Sequence, residues 1–167
     1  MKRAYEDEKY LRIVEHILTD ENFNKIKTAE HHGISRYDHS LRVSYISYKI
    51  TRVLGLDYHE TARGGLLHDF FMTDNDRNMK EKLVSTFNHP KKAVNNSKNN
   101  FDISAKEEDI IRTHMFPINI KPPKYMEGWV VNLVDKGVAI CEFSQKFSYR
   151  LKFATNVFMI FLMNFIK

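Results

Sequence analysis

Gly64-Gly65-Leu66-Leu67-His68-Asp69 is the stretch whose reading decides the fold. It closes a segment that opens at Asp57 and Glu60, the spacing of a capping box, and carries Ala62, Leu66 and Leu67 as its apolar positions. The pattern predicts a helix whose end delivers an imidazole and a carboxylate side by side. Helical neighbours point about 100° apart, so His68 and Asp69 either hold one ion near the helix end or share the carboxylate with a second. Each glycine inside a helix costs roughly 1 kcal/mol relative to alanine. Their presence predicts that another backbone packs closely against Gly64 and Gly65.

Working outward, the apolar positions Val43, Ile46, Ile50 and Val53 recur at helical spacing between Asp38 and Leu54, and Gly55 ends that run as a C′ glycine does. His39 extends the row by one turn, which predicts a place on the buried face. His89 precedes Pro90, and proline is well placed at the first position of a helix; Ala93, Val94 and Ser97 continue that element to Asn99-Asn100. Ser104 with Glu107 is a second capping box. It opens a helix carrying Ile110, Ile111 and His114 inward, with Pro117 ending it. Asp135 shares a face with Val131 and Val138, an acid within an apolar row from Trp129 to Val134. A buried carboxylate is unfavourable unless paired, hydrogen-bonded or bound to metal.

Neutral imidazoles and carboxylates hold borderline and hard divalent metals. Taken singly, each position has a plainer explanation: a core histidine for His39, an N-cap for His89, a helix-pairing carboxylate for Asp135. Five metal-competent positions on five predicted helices, each inward or at a helix end, exceed what packing requires. His16 and His59 read as surface residues, and His31 and His32 are left open.

The order H…HD…D, carried by His39, His68-Asp69 and Asp135, resembles the HD-domain superfamily of metal-dependent phosphohydrolases. The likeness runs from Arg36 to Glu142 and includes Arg36-x-x-His39, the run Gly65 to Asp69, and Asp135-Lys136. It implies an all-α, phosphodiesterase-like helical bundle. His89 and His114 resemble the subset that binds two metals. His39, His68, Asp69 and Asp135 would then hold the first divalent ion, and His89 and His114 the second, with Asp69 bridging. The implied reaction is metal-hydroxide attack on a phosphate ester of a nucleotide or related metabolite, with Asp69 central and Arg36 and Lys136 as the basic groups near the phosphate. A His/Asp set does not distinguish iron, manganese, cobalt, nickel, zinc or magnesium.

The departures are informative. Several HD subfamilies place Glu or Lys three residues after the HD aspartate, where this chain has Met72; the group that helps to protonate a leaving oxygen is then either missing or supplied from elsewhere, with Asp74 and Asp76 as the candidates. The double-His and Gly-Tyr-Pro signature of one cyclic-dinucleotide group is absent, with Thr113-His114-Met115-Phe116-Pro117 in its place. The small dinucleoside-polyphosphate hydrolases are the nearest in ligand order, although His89-Pro90-Lys91-Lys92 differs from their usual His-Gly. The same ligand order also resembles HD-fold di-iron oxygenases, which is the alternative activity. A non-catalytic nucleotide-sensing HD module is a third reading, disfavoured by the intact ligand set.

At 167 residues the chain reads as a single domain, residues 1–167, with its motif core at 36–142. About six to eight helices are expected, and no strand-like alternation of useful length. The one cysteine, Cys141, excludes an internal disulfide, fits a cytoplasmic location and reads as packing. The charged start Met1 to Glu8 has no apolar core of a signal peptide. A net charge of +5 and pI near 9.2 are spread along the chain without a basic run. They favour a small anionic phosphate-containing substrate over specific nucleic-acid binding. The apolar C-terminal helix expected at 145–166 is too short to span a bilayer. It reads as a final core helix, with a homodimer interface and then an interfacial membrane contact as alternatives.

Overall fold

The computed structural model describes residues 2–28, 30–31, 34–72 and 79–165, with side chains over 4–27, 35–72, 87–144 and 148–149. Helices α1 (Lys2–Glu6), α2 (Glu8–Leu18) and α3 (Glu21–Asn24) lead through a 3₁₀ turn, Lys25–Thr28, into two antiparallel two-residue strands, Glu30–His31 and Ile34–Ser35. Five helices follow: α4 (Arg36–Val53), α5 (Tyr58–Leu67), α6 (Met79–Asn100), α7 (Ala105–Thr113) and α8 (Met126–Phe165). The architecture is all-α, as the sequence predicts.

Local chemistry sets the helix ends. Ser35 caps α4 by accepting the Asp38 N–H at 3.1 Å, so α4 starts at Arg36, two residues before the apolar periodicity suggests. At its far end Gly55 adopts φ 68°, and the Leu56 N–H reaches the Thr51 carbonyl at 2.9 Å, the longer bond of a Schellman motif. The Ser104–Glu107 box forms in full. The Asp57–Glu60 box forms by half. Asp57 accepts from the Glu60 N–H, but the Glu60 carboxylate turns to the Ser104 hydroxyl, and Glu127 takes the Asp57 N–H at 3.1 Å.

The backbone approach that the glycine pair predicts is met at Gly65, whereas Gly64 meets a side chain. A Cβ on Gly65 would lie 3.1 Å from the Ser44 Cα, and one on Gly64 would lie 3.0 Å from the Ile110 side chain. Thus α5 is pressed against α4 on one side and α7 on the other. Leu66, Leu67 and Ala62 fill the main core with Tyr10, Val14, Phe23, Leu41 and Ile111, each large side chain contributing about 1.5–3 kcal/mol on burial. A second cluster, Val43, Ile110, Val131 and Val138, seals α8 onto α4 and α7.

Four expectations are corrected. The row Ile46–Ile50–Val53 faces outward, at 41, 38 and 86% exposure. The buried face of α4 instead carries Ser40, Ser44, Ser47 and Thr51 beside Tyr37, Leu41 and Tyr48, and at Ser44 the backbone of α5 comes too close for a large apolar row. His39 and Val43 keep their inward placement because α8 covers that end of the row. Pro90 lies inside α6, not at its start, so His89 is no N-cap. Cys141 is exposed on α8 and packs no core. The extent of the C-terminal helix changes too: α8 is continuous from Met126 to Phe165. The core packing read for that helix, and the alternative homodimer contact, fall largely on side chains beyond the described ones. No described helix is long and apolar enough to cross a membrane.

Two glycine substitutions check this packing. Gly65→Ala places a methyl against main chain and lowers stability by about 1–3 kcal/mol. Gly137→Ala meets nothing within 4 Å on α8 and raises it by about 0.5–1 kcal/mol. Thermal melts of the two variants should move in opposite directions.

Candidate metal centre

Five helices bring their chemistry-bearing side chains to one buried point. His39 comes from the first turn of α4; His68 caps the C-terminus of α5, and Asp69 follows it. His89 comes from α6, His114 caps α7, and Asp135 lies on α8. His39, His68, Asp69, His89 and His114 are all buried, and the Asp135 side chain is 15% exposed. The ring nitrogens and carboxylate oxygens form three overlapping triplets, each with donor atoms within 4.8 Å of one another: His39–His68–Asp69, His68–His114–Asp135 and Asp69–His89–His114.

Asp69 stands between two sets of imidazoles. Its Oδ2 is 3.9 Å from His68 Nε2, while its Oδ1 is 3.4 Å from His89 Nε2 and 3.8 Å from His114 Nε2. Asp135 Oδ1 lies 2.9 Å from His39 Nε2 and 3.6 Å from His68 Nε2. His89 Nε2 and His114 Nε2 face each other at 2.9 Å.

The opposite edges of three rings are braced. His68 Nδ1–H donates to the Gly65 carbonyl at 2.7 Å, and His114 Nδ1–H to the Ile111 carbonyl at 2.8 Å. Each carbonyl is an end group of its own helix, without an intrahelical partner. His39 Nδ1–H donates to Glu142 Oε2 at 2.9 Å, and Glu142 Oε1 accepts from Arg42 at 3.3 Å. Each brace orients its ring and turns Nε2 toward the cluster, as outer partners of metal-ligating histidines do. Sequence reading missed Glu142 as a functional residue. The signal for it is its position seven residues after Asp135, on the same face of α8.

The charge state of the metal-free cluster is coupled. Burial opposes a charge on His39, but its hydrogen bonds to Asp135 and Glu142, aided by Asp69, push its pKa up to about 10. For Asp135 burial acts upward, yet contacts with His39 and His68 hold it well below the usual carboxylate range. Burial, then repulsion from His68, pushes His114 down to about 3. A nitrogen and oxygen donor set with braced rings, two buried carboxylates and a neutral His114 fits a divalent metal.

The two predicted cations sit at the rim of this cluster. Arg36 is buried. It donates through Nη1 to the Phe71 carbonyl at 2.7 Å, lies over the Phe71 ring at 3.9 Å, and has a buried Nε–H without a partner. Phe71 in turn stacks on His89, with centroids 5.0 Å apart. Lys136 donates to the His114 carbonyl at 3.1 Å and the Asn132 carbonyl at 3.4 Å, tying α8 to the end of α7. Met72 is exposed, and Asp74 and Asp76 fall outside the described residues. His16 and His59 are on the surface, as expected.

A helical scaffold that gathers histidines and aspartates in the order H…HD…D defines a class of metal-binding proteins. The chain belongs to the HD-domain family, whose family model matches residues 36–142. HD domains bind divalent metals, and the superfamily includes many metal-dependent phosphohydrolases. No curated protein and no solved structure matches the chain.

An ion held by His39 requires the neutral ring, so binding there expels a proton. Because that proton is held up to about pH 10, metal affinity should rise with pH through the neutral range, by about tenfold per unit for each proton released. Glu142→Gln removes the anionic brace and should lower affinity roughly 10–100-fold. Metal titrations of wild type and variant at pH 6, 7 and 8, with a chromophoric indicator, measure both effects.

Proposed function

We propose that this protein is a metal-dependent phosphohydrolase that cleaves a phosphate ester of a nucleotide or related metabolite. The observation that carries this reading is the position of Asp69, one carboxylate facing His68 with one oxygen and the His89–His114 pair with the other. That arrangement supports a dinuclear site. His39, His68, Asp69 and Asp135 would hold one divalent ion, and Asp69, His89 and His114 the other. When bound, such ions supply Lewis acidity toward a phosphoryl oxygen and lower the pKa of water to near neutrality.

The chain's own residues do the rest. Gly65, Ile111 and Glu142 hold three imidazoles in the tautomer that presents Nε2 to the cluster. Arg36 is fixed against Phe71, so its charge and unpartnered Nε–H stand beside the site without a further loss of side-chain freedom on substrate binding. Its role is to hold a non-bridging phosphate oxygen. Lys136, next to Asp135, offsets the carboxylate charge and keeps the end of α7 against α8. The apolar Met72 offers no proton for the leaving oxygen.

Protein purified without chelators should carry two equivalents of metal. It should release phosphate from a panel of phosphodiester, phosphomonoester and nucleotide substrates, with activity lost to EDTA and restored by metal. His89→Ala should lose about half of the metal, since it removes one of the two sites, and most of the turnover. Full metal content and full turnover in that variant would overturn the dinuclear site. Two irons with oxygen uptake on reduction, and no hydrolysis, would replace the hydrolase reading with the oxygenase one.

A further inference from the structure

At the other end of the α4–α5 pair lies a second concave feature, a groove of about 490 Å³ between α2, α4 and α5. Arg52 is 13 residues beyond His39 on α4, which places this groove about 20 Å from the metal cluster along the helix axis. Its lining includes Lys9, Arg12, Arg52, Arg63, Tyr58 and His59, and no acidic side chain.

Two of the cations there, Arg12 and Arg52, are poorly compensated. Arg52 donates to the Tyr48 hydroxyl at 3.2 Å and lies over the same ring, with no carboxylate in the contact. Arg12 meets Glu8 only at 3.9 Å, with both side chains more than four-fifths exposed, a pairing worth little against a phosphate. Elsewhere on the described surface, Lys98, Lys106 and Arg112 are each matched by a glutamate or aspartate. Arg63 is the fixed member of the groove. Glu107 holds its Nε–H, the Asp102 carbonyl takes Nη2 at 2.7 Å, and His16 Nε2 accepts from Nη1 at 2.7 Å. Burial and the adjacent Arg63 lower the pKa of His16, consistent with the neutral ring that this bond requires. Beside these groups the rings of Tyr58 and His59 lie 4.8 Å apart, His59 being exposed.

We propose that this groove binds a nucleoside polyphosphate at a site separate from the metal cluster. Lys9, Arg12 and Arg52 receive the phosphates, and the Tyr58–His59 face receives the base. The proposal does not depend on the hydrolase reading, because none of these residues belongs to the metal cluster.

Titration calorimetry of the full chain in EDTA-containing, low-salt buffer tests it, with ATP and inorganic tripolyphosphate as probes. Wild type should bind one equivalent of each, ATP more tightly. Lys9→Ala/Arg52→Ala should weaken both at least tenfold, while Lys121→Ala/Lys124→Ala, an equal charge change elsewhere, leaves them unaltered. Metal uptake by the first double variant, titrated without EDTA, should stay at the wild-type level. Equal affinity in the two double variants, or no binding by wild type, would overturn the site. Equal affinity of wild type for ATP and tripolyphosphate would overturn the base contact.

Discussion

Everything in the central part of this molecule answers to one electrostatic demand. Four imidazoles and two carboxylates are gathered away from water, where like groups repel and unpaired charges are strongly unfavourable. The metal-free protein meets that demand with shared protons, most visibly in the chain Asp135–His39–Glu142. A dication meets it better, because every imidazole except His89 is already turned by a described Nδ1 brace. The helices are accordingly arranged by their ends. Two of the proposed ligand histidines close α5 and α7, and the glycine pair that lets α5 nest between α4 and α7 lies three and four residues before His68.

This coupling of packing to chemistry explains which parts were legible in the sequence. The six proposed ligands could be read because each is both a metal-competent residue type and a marked position in a helix, and the structure brings all six together. The glycine pair was legible for a similar reason: an unfavourable residue in a helix has to be there for something. The α4 face was misread because hydrophobicity is an imperfect guide to burial where backbones nearly touch. Ser44 lies against Gly65, whose missing Cβ lets the two backbones approach, and its hydroxyl is satisfied by Tyr10 and the Ala62 carbonyl.

Other misses have local causes. His89-Pro90 looked like a helix start because proline lacks an N–H, yet α6 runs through it. Cys141 looked internal because its neighbours are apolar, yet Ile140 and Phe143 are themselves exposed, at 69 and 63%. Glu142 enters the sequence reading only as the end of the stretch of family likeness. Its function is visible only when α8 is laid against α4, more than a hundred residues earlier in the chain, and Arg42 and His39 meet it there.

The self-braced histidines have a wider consequence. His68 and His114 each orient their ring with a carbonyl three residues back, so the instruction for the ring's direction is written within a single helical turn. Such a ligand is a portable unit. Substitutions elsewhere in the chain leave the ring's orientation intact as long as the helix still ends there. His39, by contrast, depends on a distant glutamate, and the two must change together. Drift in this protein's sequence is therefore unevenly tolerated around one cluster, free about the helix-ending ligands and tied to a partner at the third.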